Sequence, residues 1–494
     1  MDSNAESIPR SPSSCGHSST TMFRPPVNRA MRVLDRSFFK KSVPISAATI
    51  LETKNISQVR KRLSASNDLL DLPRYSVCTV PNPGPLIVGN GQLLDLSSTE
   101  LQKKKCLLLR ENVKHDDTAT WSPTIGELVN EGLVGLGPYM VELDYNYWNF
   151  SDIINAILPE EEAKTGESPE GFTQTGHVLH LNLRERWHPY KHIIAEILMD
   201  KNSGAKTVIN KTESVGTVSE FRTFPFEVLA GENDLNVVVR EQGCVFHFDF
   251  ARVYWNSRLE TEHRRLVNKF KPGELVCDVM AGVGPFAIPA GKKKIFVWGN
   301  DLNPYGFEVM EDSIVRNHVE SFVNAFNMDG RAFIRETSKM MQGPTHKAIV
   351  RPKIHRSQLE KGETLPQPQV YVRPPTVDHF VMNLPATAIE FLDAYVGVYH
   401  GLERLFQPHT DRKLPMIHVY CFSGHSDDER IDHIDICERI SERIGFTLTP
   451  DDTVDGSGNA ARELAIHNVR LVSPQKQMFC ASFRLPEEVA FRKV

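Results

Sequence analysis

The chain has 494 residues, 40% of them hydrophobic and 24% charged, with a formal net charge of -5. That length suits roughly two to four domains with cores of their own, and the slightly acidic balance excludes a protein that coats nucleic acid through its overall field while leaving room for local basic patches. No apolar run approaches the roughly 20 residues of a membrane span, and the eight cysteines lack CxxC or Cys/His metal spacing, so a soluble chain with reduced thiols and no metal is expected.

In chain order, residues 1–21 are Ser-rich and predict a disordered tail. Met22 to Arg62 then carries ten Lys or Arg against two acids, Asp35 and Glu52. Arg-rich, acid-poor amphipathic segments resemble mitochondrial presequences, so initiation at Met22 is expected to give a form for the mitochondrial matrix while the full chain stays in nucleus or cytoplasm. The competing use is that this segment folds in the first domain, 22–170. That domain holds alternating strand-like and helix-like runs, including Cys106 to Leu109 and Tyr145 to Leu158, and closes in the acidic stretch Pro159 to Gly171, a linker by composition.

A second unit, 171–258, reads as α+β. Strands are predicted at Val178 to Leu183, Thr207 to Asn210, Phe226 to Leu229, Val237 to Glu241 and Cys244 to Phe248, around a helix near Tyr190 to Met199. The third unit, 259–494, reads as α/β. Its segment 337–376, rich in Pro, Lys, Arg and Gln, is expected to be a flexible insertion, and Ile417 to Ser423 and Met478 to Phe483 look like late strands of a seven-stranded sheet.

The most informative stretch is Asp278-Val279-Met280-Ala281-Gly282-Val283-Gly284-Pro285-Phe286. It follows the apolar run Leu275 to Cys277 and opens onto a helix-compatible segment, giving strand, glycine turn and helix, where glycines let the backbone approach a ligand closely. A second strand, Ile295 to Gly299, ends in Asn300-Asp301, a third polar stop falls at Asp329-Gly330, and a fourth strand, His379 to Met382, ends in Asn383-Leu384-Pro385. Four such strand ends describe one crevice at the carboxyl edge of a parallel sheet, where open α/β folds bind ligands. The acid after the second strand serves NAD and S-adenosylmethionine folds alike, so an NAD-linked oxidoreductase stays open at this point. The Asn-Leu-Pro step resembles the motif by which class I methyltransferases acting on nitrogen hold a planar base.

The blocks LNLRERWHPYKHIIAEILMDKN (Leu181 to Asn202), FRTFPFEVLAG (Phe221 to Gly231), ARVYWNSRLETEHRRLV (Ala251 to Val267), CDVMAGVGPFAIPA (Cys277 to Ala290), NDLNP (Asn300 to Pro304) and NLPATAIEFLDA (Asn383 to Ala394) resemble the eukaryotic and archaeal type of tRNA (guanine-37-N1)-methyltransferase. The resemblance implies a class I, Rossmann-like methyltransferase domain with a seven-stranded sheet, preceded by two smaller α+β domains. It also implies S-adenosylmethionine as methyl donor, a monomer, and action on guanosine 37. In that family the reaction maintains reading frame and starts wybutosine synthesis in phenylalanine tRNA; inosine 37 is a further expected substrate.

Guanine N1 carries a hydrogen, so methylation there needs a base and a cation to meet charge flowing onto O6. The resemblance puts Glu262 in the first role, with Glu260 its rival, and Arg222 in the second. Asn383 would hold the base edge, with Tyr254 and Pro385 shaping the base pocket. Around the donor it places His263, Asp278, Gly282, Gly284, Asp301 on the ribose, Leu302 flanking the adenine, Asp329 with Gly330 at the adenine edge, and Arg258. The helix block offers Arg184, Arg186, Lys191, His192 and Lys201 to tRNA phosphates, and the basic first domain is expected to read the outer tRNA body. An extruded anticodon-loop guanosine fits such a site. The alternative from another class is an RNA-binding module that kept a methyltransferase fold without activity.

Overall fold

The computed structural model describes residues 21–72, 75–80, 85–94, 103–212, 221, 223, 225–351, 367–424, 426, 428–452 and 463–493. The predicted tail therefore lies outside the described residues except for Thr21, which opens the short 3-10 turn Thr21–Phe23.

The chain divides into two compact units. One comprises the residues up to Gly171 together with Arg184–Asn202, and the other comprises Phe172–Leu183 with everything from Ser203 onward. This differs from the three-domain expectation at two places. The helix expected in the second domain, observed as Lys191–Lys201, belongs to the first unit. The remaining strands of that domain share one continuous core with the α/β part, running from Val178 through Phe246 and Leu275 to Ala490.

The first unit is built on a six-stranded antiparallel sheet in the order Cys78–Thr79, Lys105–Leu108, Lys41–Ile50, Val134–Leu143, Leu86–Val88, Gln92–Leu94. Helices Ile56–Ala65 and Pro123–Asn130 bury Val59, Leu63, Ile125 and Leu128 against it. The basic segment after Met22 is thus structural. Lys41–Ile50 is a central strand, Phe39 is fully buried, Arg36 pairs with Asp200 at 2.8 Å, and Arg62 bridges Glu127 and Glu131. The acidic stretch after Pro159 holds the short helix Glu160–Lys164, and the next strand begins at Phe172.

The second unit carries a four-stranded sheet (Phe226–Gly231, Thr207–Lys211, Val178–Leu181, Phe172–Thr175), the hairpin Asn236–Glu241 with Cys244–Asp249, and a seven-stranded sheet. The last runs Val323–Phe326, Phe296–Asn300, Leu275–Asp278, His379–Met382, Met416–Ser423, Lys476–Arg484, Ala465–Ser473. Its first five strands are parallel and the last two antiparallel. Parallel strands covered on both faces read as continuous apolar runs, and Leu275, Val276 and Cys277 are all essentially inaccessible. The 337–376 segment is more ordered at its ends than expected. Helix Gly330–Met340 runs into it, and Lys347–Val350 pairs antiparallel with Gln369–Val372, while 352–366 lies outside the described residues. Among the described residues no helix is long and apolar enough to cross a membrane.

Candidate active site

Parallel pairing in register brings the carboxyl ends of Leu275–Asp278, Phe296–Asn300, Val323–Phe326 and His379–Met382 to one edge of the sheet. There a cleft of about 1040 Å³ opens, within the second unit. Of the predicted residues, Tyr254, His263, Gly282, Asp301, Leu302, Asp329, Gly330 and Asn383 line it.

The turn after Asp278 needs its glycines. Gly282 has φ +56° and open space where a Cβ would stand, and Gly284 has φ +94° with a virtual Cβ only 2.9 Å from Ile288. Both are conformations that side chains disfavour. Asp301 closes this turn by accepting the Gly282 N–H at 2.7 Å and the Asn303 N–H at 2.9 Å. Burial raises its pKa above the ordinary carboxyl value. Asp329 caps helix Gly330–Met340 through the Ala332 N–H, and Asn300 donates to the carbonyls of Val279 and Met328, tying neighbouring strand ends together. Leu302 is half exposed over the cleft.

Asp278 differs from expectation. It is fully buried and does not line the cleft. Burial first, then the charge of Asp301, pushes its pKa well up. Gly284 and Arg258 also stand outside the cleft lining, Arg258 reaching the Phe172 carbonyl at 3.5 Å. In the Asn-Leu-Pro step it is Leu384 that lines the cleft, whereas Pro385 faces a second cavity beside Arg439 and Arg443. Arg222 lies outside the described residues; its neighbour Phe221 lines the cleft. Arg184 and Lys191 belong to the other unit, where Arg184 and Arg186 both meet Glu167 of the acidic stretch.

Helix Glu260–Val267 turns alternate residues to different surroundings. His263 lines the cleft with its Nδ1 2.7 Å from the buried Glu241 carboxylate and its ring edge-on to Phe286. Glu260 pairs with Arg264 at the surface. Glu262 is 4% exposed and is not part of the cleft lining. Its Oε1 accepts from Tyr420 Oη at 2.7 Å and from Arg265 Nη2 at 2.6 Å, and its Oε2 accepts from Arg265 Nε at 2.6 Å. Burial opposes the charge on Arg265, but the Glu262 carboxylate outweighs it and holds the guanidinium pKa above its usual value.

Two cleft-lining residues carry buried polar atoms without a partner among the described residues, the donor Trp255 Nε1 and the acceptor Asn383 Oδ1, and of these the acceptor belongs to the Asn-Leu-Pro step. A buried acceptor left unmade costs about 1–3 kcal/mol, so a donor is expected there when the site is filled. Sequence reasoning passed over Phe391, which lines the cleft and lies 3.1 Å from a virtual Cβ on Gly330. It sits inside the NLPATAIEFLDA block, and its helical spacing alone reads as core. Among the described residues no group of His, Cys, Asp or Glu is arranged to hold a metal ion.

Residues 237–348 match the TRM5/TYW2 methyltransferase domain, and residues 150–234 match the TYW2 N-terminal domain. The chain is 62% identical over 478 residues to the tRNA (guanine(37)-N(1))-methyltransferase of Aspergillus fumigatus, covering 96% of each. It is 41% identical over 467 residues to that of Schizosaccharomyces pombe, covering 94% of this chain and 96% of the relative. In fold it is similar to wild-type Trm5b from Pyrococcus abyssi, with TM-score 0.52 and 21% identity over 89% of this chain and 98% of that one. It is likewise similar to aTrm5 in its complex with tRNALeu, with TM-score 0.53 and 18% identity over 90% and 100% of the two chains.

Proposed function

The chain belongs to the family of tRNA (guanine(37)-N(1))-methyltransferases, and from that premise we propose that it moves a methyl group from S-adenosylmethionine to N1 of guanosine 37 in tRNA through the roles assigned below. The observation that carries these roles is the orphaned Asn383 Oδ1 in the cleft at the sheet edge. The cleft's residues suit the donor: the Gly282 turn leaves room for close backbone approach, Asp301 and Asp329 offer carboxylates to hydroxyl or amino groups, and Leu302 and Phe391 offer apolar flanks to a planar base. When bound, S-adenosylmethionine supplies an electrophilic methyl on a sulfonium centre.

Asn383 Oδ1 accepts a hydrogen bond from the guanine edge and fixes N1 toward the donor side. Glu262, held in place by Arg265 and Tyr420, takes the N1 proton. Its carboxylate lies one residue along the helix from cleft-lining His263, and catalytic hydrogen bonds often tighten only in the substrate complex. Arg222 meets the charge on O6. Inosine shares N1–H and O6 with guanine, so the same residues serve inosine 37, and methylation of phenylalanine tRNA supplies the first intermediate of wybutosine. The chain acts as a monomer, and the first unit contacts the outer tRNA body; the neighbour solved with tRNALeu supports tRNA binding by this architecture. Synthesis from Met22 serves the mitochondrial matrix and the full chain serves nucleus and cytoplasm.

The test is methyl incorporation from labelled S-adenosylmethionine into two transcripts differing only in guanosine or adenosine at position 37. 1-Methylguanosine in the first alone is expected; equal labelling of both would overturn the site assignment.

A further inference from the structure

The Glu262 carboxylate has one contact that base catalysis at this residue leaves unexplained. His467 Nε2 stands 3.5 Å from Glu262 Oε2, and the His467 side chain is 45% exposed while that of Glu262 is 4% exposed. Sheet register creates the arrangement. Tyr420 and His467 are both cross-strand partners of Cys480, in Met416–Ser423 and Ala465–Ser473 respectively. Directly paired residues project to the same face, so Tyr420, Cys480 and His467 form a row from the core to the sheet edge, over which Glu262 lies.

The chemistry of these neighbours differs. Arg265 donates both of its hydrogen bonds and stays cationic. Tyr420 donates its hydroxyl, and burial holds its pKa far up. Cys480 is buried, with its pKa raised to about 11, and Lys269 contributes a further positive charge near His467. Burial first, then Arg265, lowers the His467 pKa, with Glu262 acting in the opposite sense, so the neutral form of the ring is favoured. Among the described groups around the carboxylate, a neutral imidazole alone can accept a proton and also reach water.

We propose that His467 is the positioning residue that resets Glu262 by carrying its proton to solvent. The inference rests on Glu262 being the base. The guanine N1–H bond breaks with its electron pair left on the ring, and the proton forms O–H at Glu262. That O–H bond then breaks as N–H forms at His467 Nε2, directly or through one water, and the imidazolium releases a proton to bulk water. No redox partner is needed.

The experiment uses the full chain with S-adenosylmethionine and a guanosine-37 transcript, comparing single-turnover and steady-state rates for wild type, His467→Ala, His467→Gln and Glu262→Gln. For His467→Ala the first turnover is expected within about twofold of wild type while steady-state turnover falls about 100-fold, the lower end of what a positioned proton-transfer group contributes. Added imidazole restores His467→Ala, and His467→Gln shows the same slowing without rescue. Unchanged steady-state turnover, or a proportional loss in both regimes without rescue, overturns the relay. A wild-type first turnover in Glu262→Gln instead overturns the base assignment, so the two failures are distinct. Independently of activity, NMR titration of His467 should give a lower pKa in Glu262→Gln than in wild type; an unchanged value overturns the coupling.

Discussion

At the scale of single residues, the site is set by two polar groups with opposite hydrogen-bond status. Asn383 offers an acceptor with no partner among the described residues, so its full value appears only with a base in the cleft. Glu262 accepts three hydrogen bonds, two from Arg265 and one from Tyr420, which pair a buried carboxylate. Replacing Asn383 by Ala should lower kcat/KM for tRNA about 100-fold by misplacing N1. The melting temperature should barely change, because no folded-state hydrogen bond of Oδ1 is lost; single-turnover kinetics and calorimetry check the two halves. The sequence motif was enough to single out Asn383 and Glu262. It could not say that Leu384 rather than Pro385 faces the cleft, because adjacent residues in a non-repetitive loop have no periodicity that assigns them a side.

At the scale of elements, three adjacent strands carry a buried polar chain. His379 Nδ1 is 3.0 Å from His418 Nε2, and His418 Nδ1 is 2.8 Å from Ser482 Oγ, with Glu274 3.3 Å from His379 Nε2. Burial, reinforced by His379, Lys269, Arg265 and Arg484, lowers the His418 pKa well below its ordinary 6.5. The folded state therefore holds this ring neutral while the unfolded chain takes up a proton below about pH 6.5. Its stabilising contribution is present above that pH and is lost as pH falls toward the depressed folded value. Urea midpoints at pH 7.5 and 5.5 should show a drop for wild type that is smaller in His418→Gln. The parallel strands were legible because each is a short apolar run with a polar end. Val323–Phe326 and Ala465–Ser473 were not, since Asn324 interrupts the first and polar residues fill the second, an edge strand paired on one side.

At the scale of the whole chain, the first unit owns a helix that lies far along the sequence. Lys191–Lys201 buries Ile193, Ile194, Ile197 and Leu198, while Asp200 receives the Tyr145 hydroxyl at 2.8 Å and Lys201 donates to the Tyr145 carbonyl at 2.6 Å. Deleting residues 1–171 would uncover those four side chains, each worth about 1.5–3 kcal/mol of burial. The truncated chain should be recovered mostly as aggregate, measured as soluble fraction against the full chain, and weakened tRNA binding by such a truncation would follow from misfolding as well as from lost contacts. The basic segment after Met22 has both a folding role, through Phe39 and Lys41–Ile50, and the composition of a presequence. Fluorescent fusions started at Met1 and at Met22 should separate these uses, the shorter one alone entering mitochondria; no mitochondrial signal from it would remove the targeting role.

By itself the sequence determined the α/β class, the four polar strand ends, the glycine turn and the family, since each is written in a few consecutive residues whose backbone preferences are local. Tertiary structure alone decided that Tyr190 to Met199 belongs to the amino-terminal unit and that Asp278 is buried outside the cleft lining. It alone decided, too, that Glu262 meets Arg265, Tyr420 and His467. Periodicity shows that a helix has an apolar face and a motif shows that a carboxylate is wanted, but neither names the distant residue on the other side. That choice belongs to sheet register and core packing, where residues 158 and 205 positions away, Tyr420 and His467, arrive beside the same carboxylate.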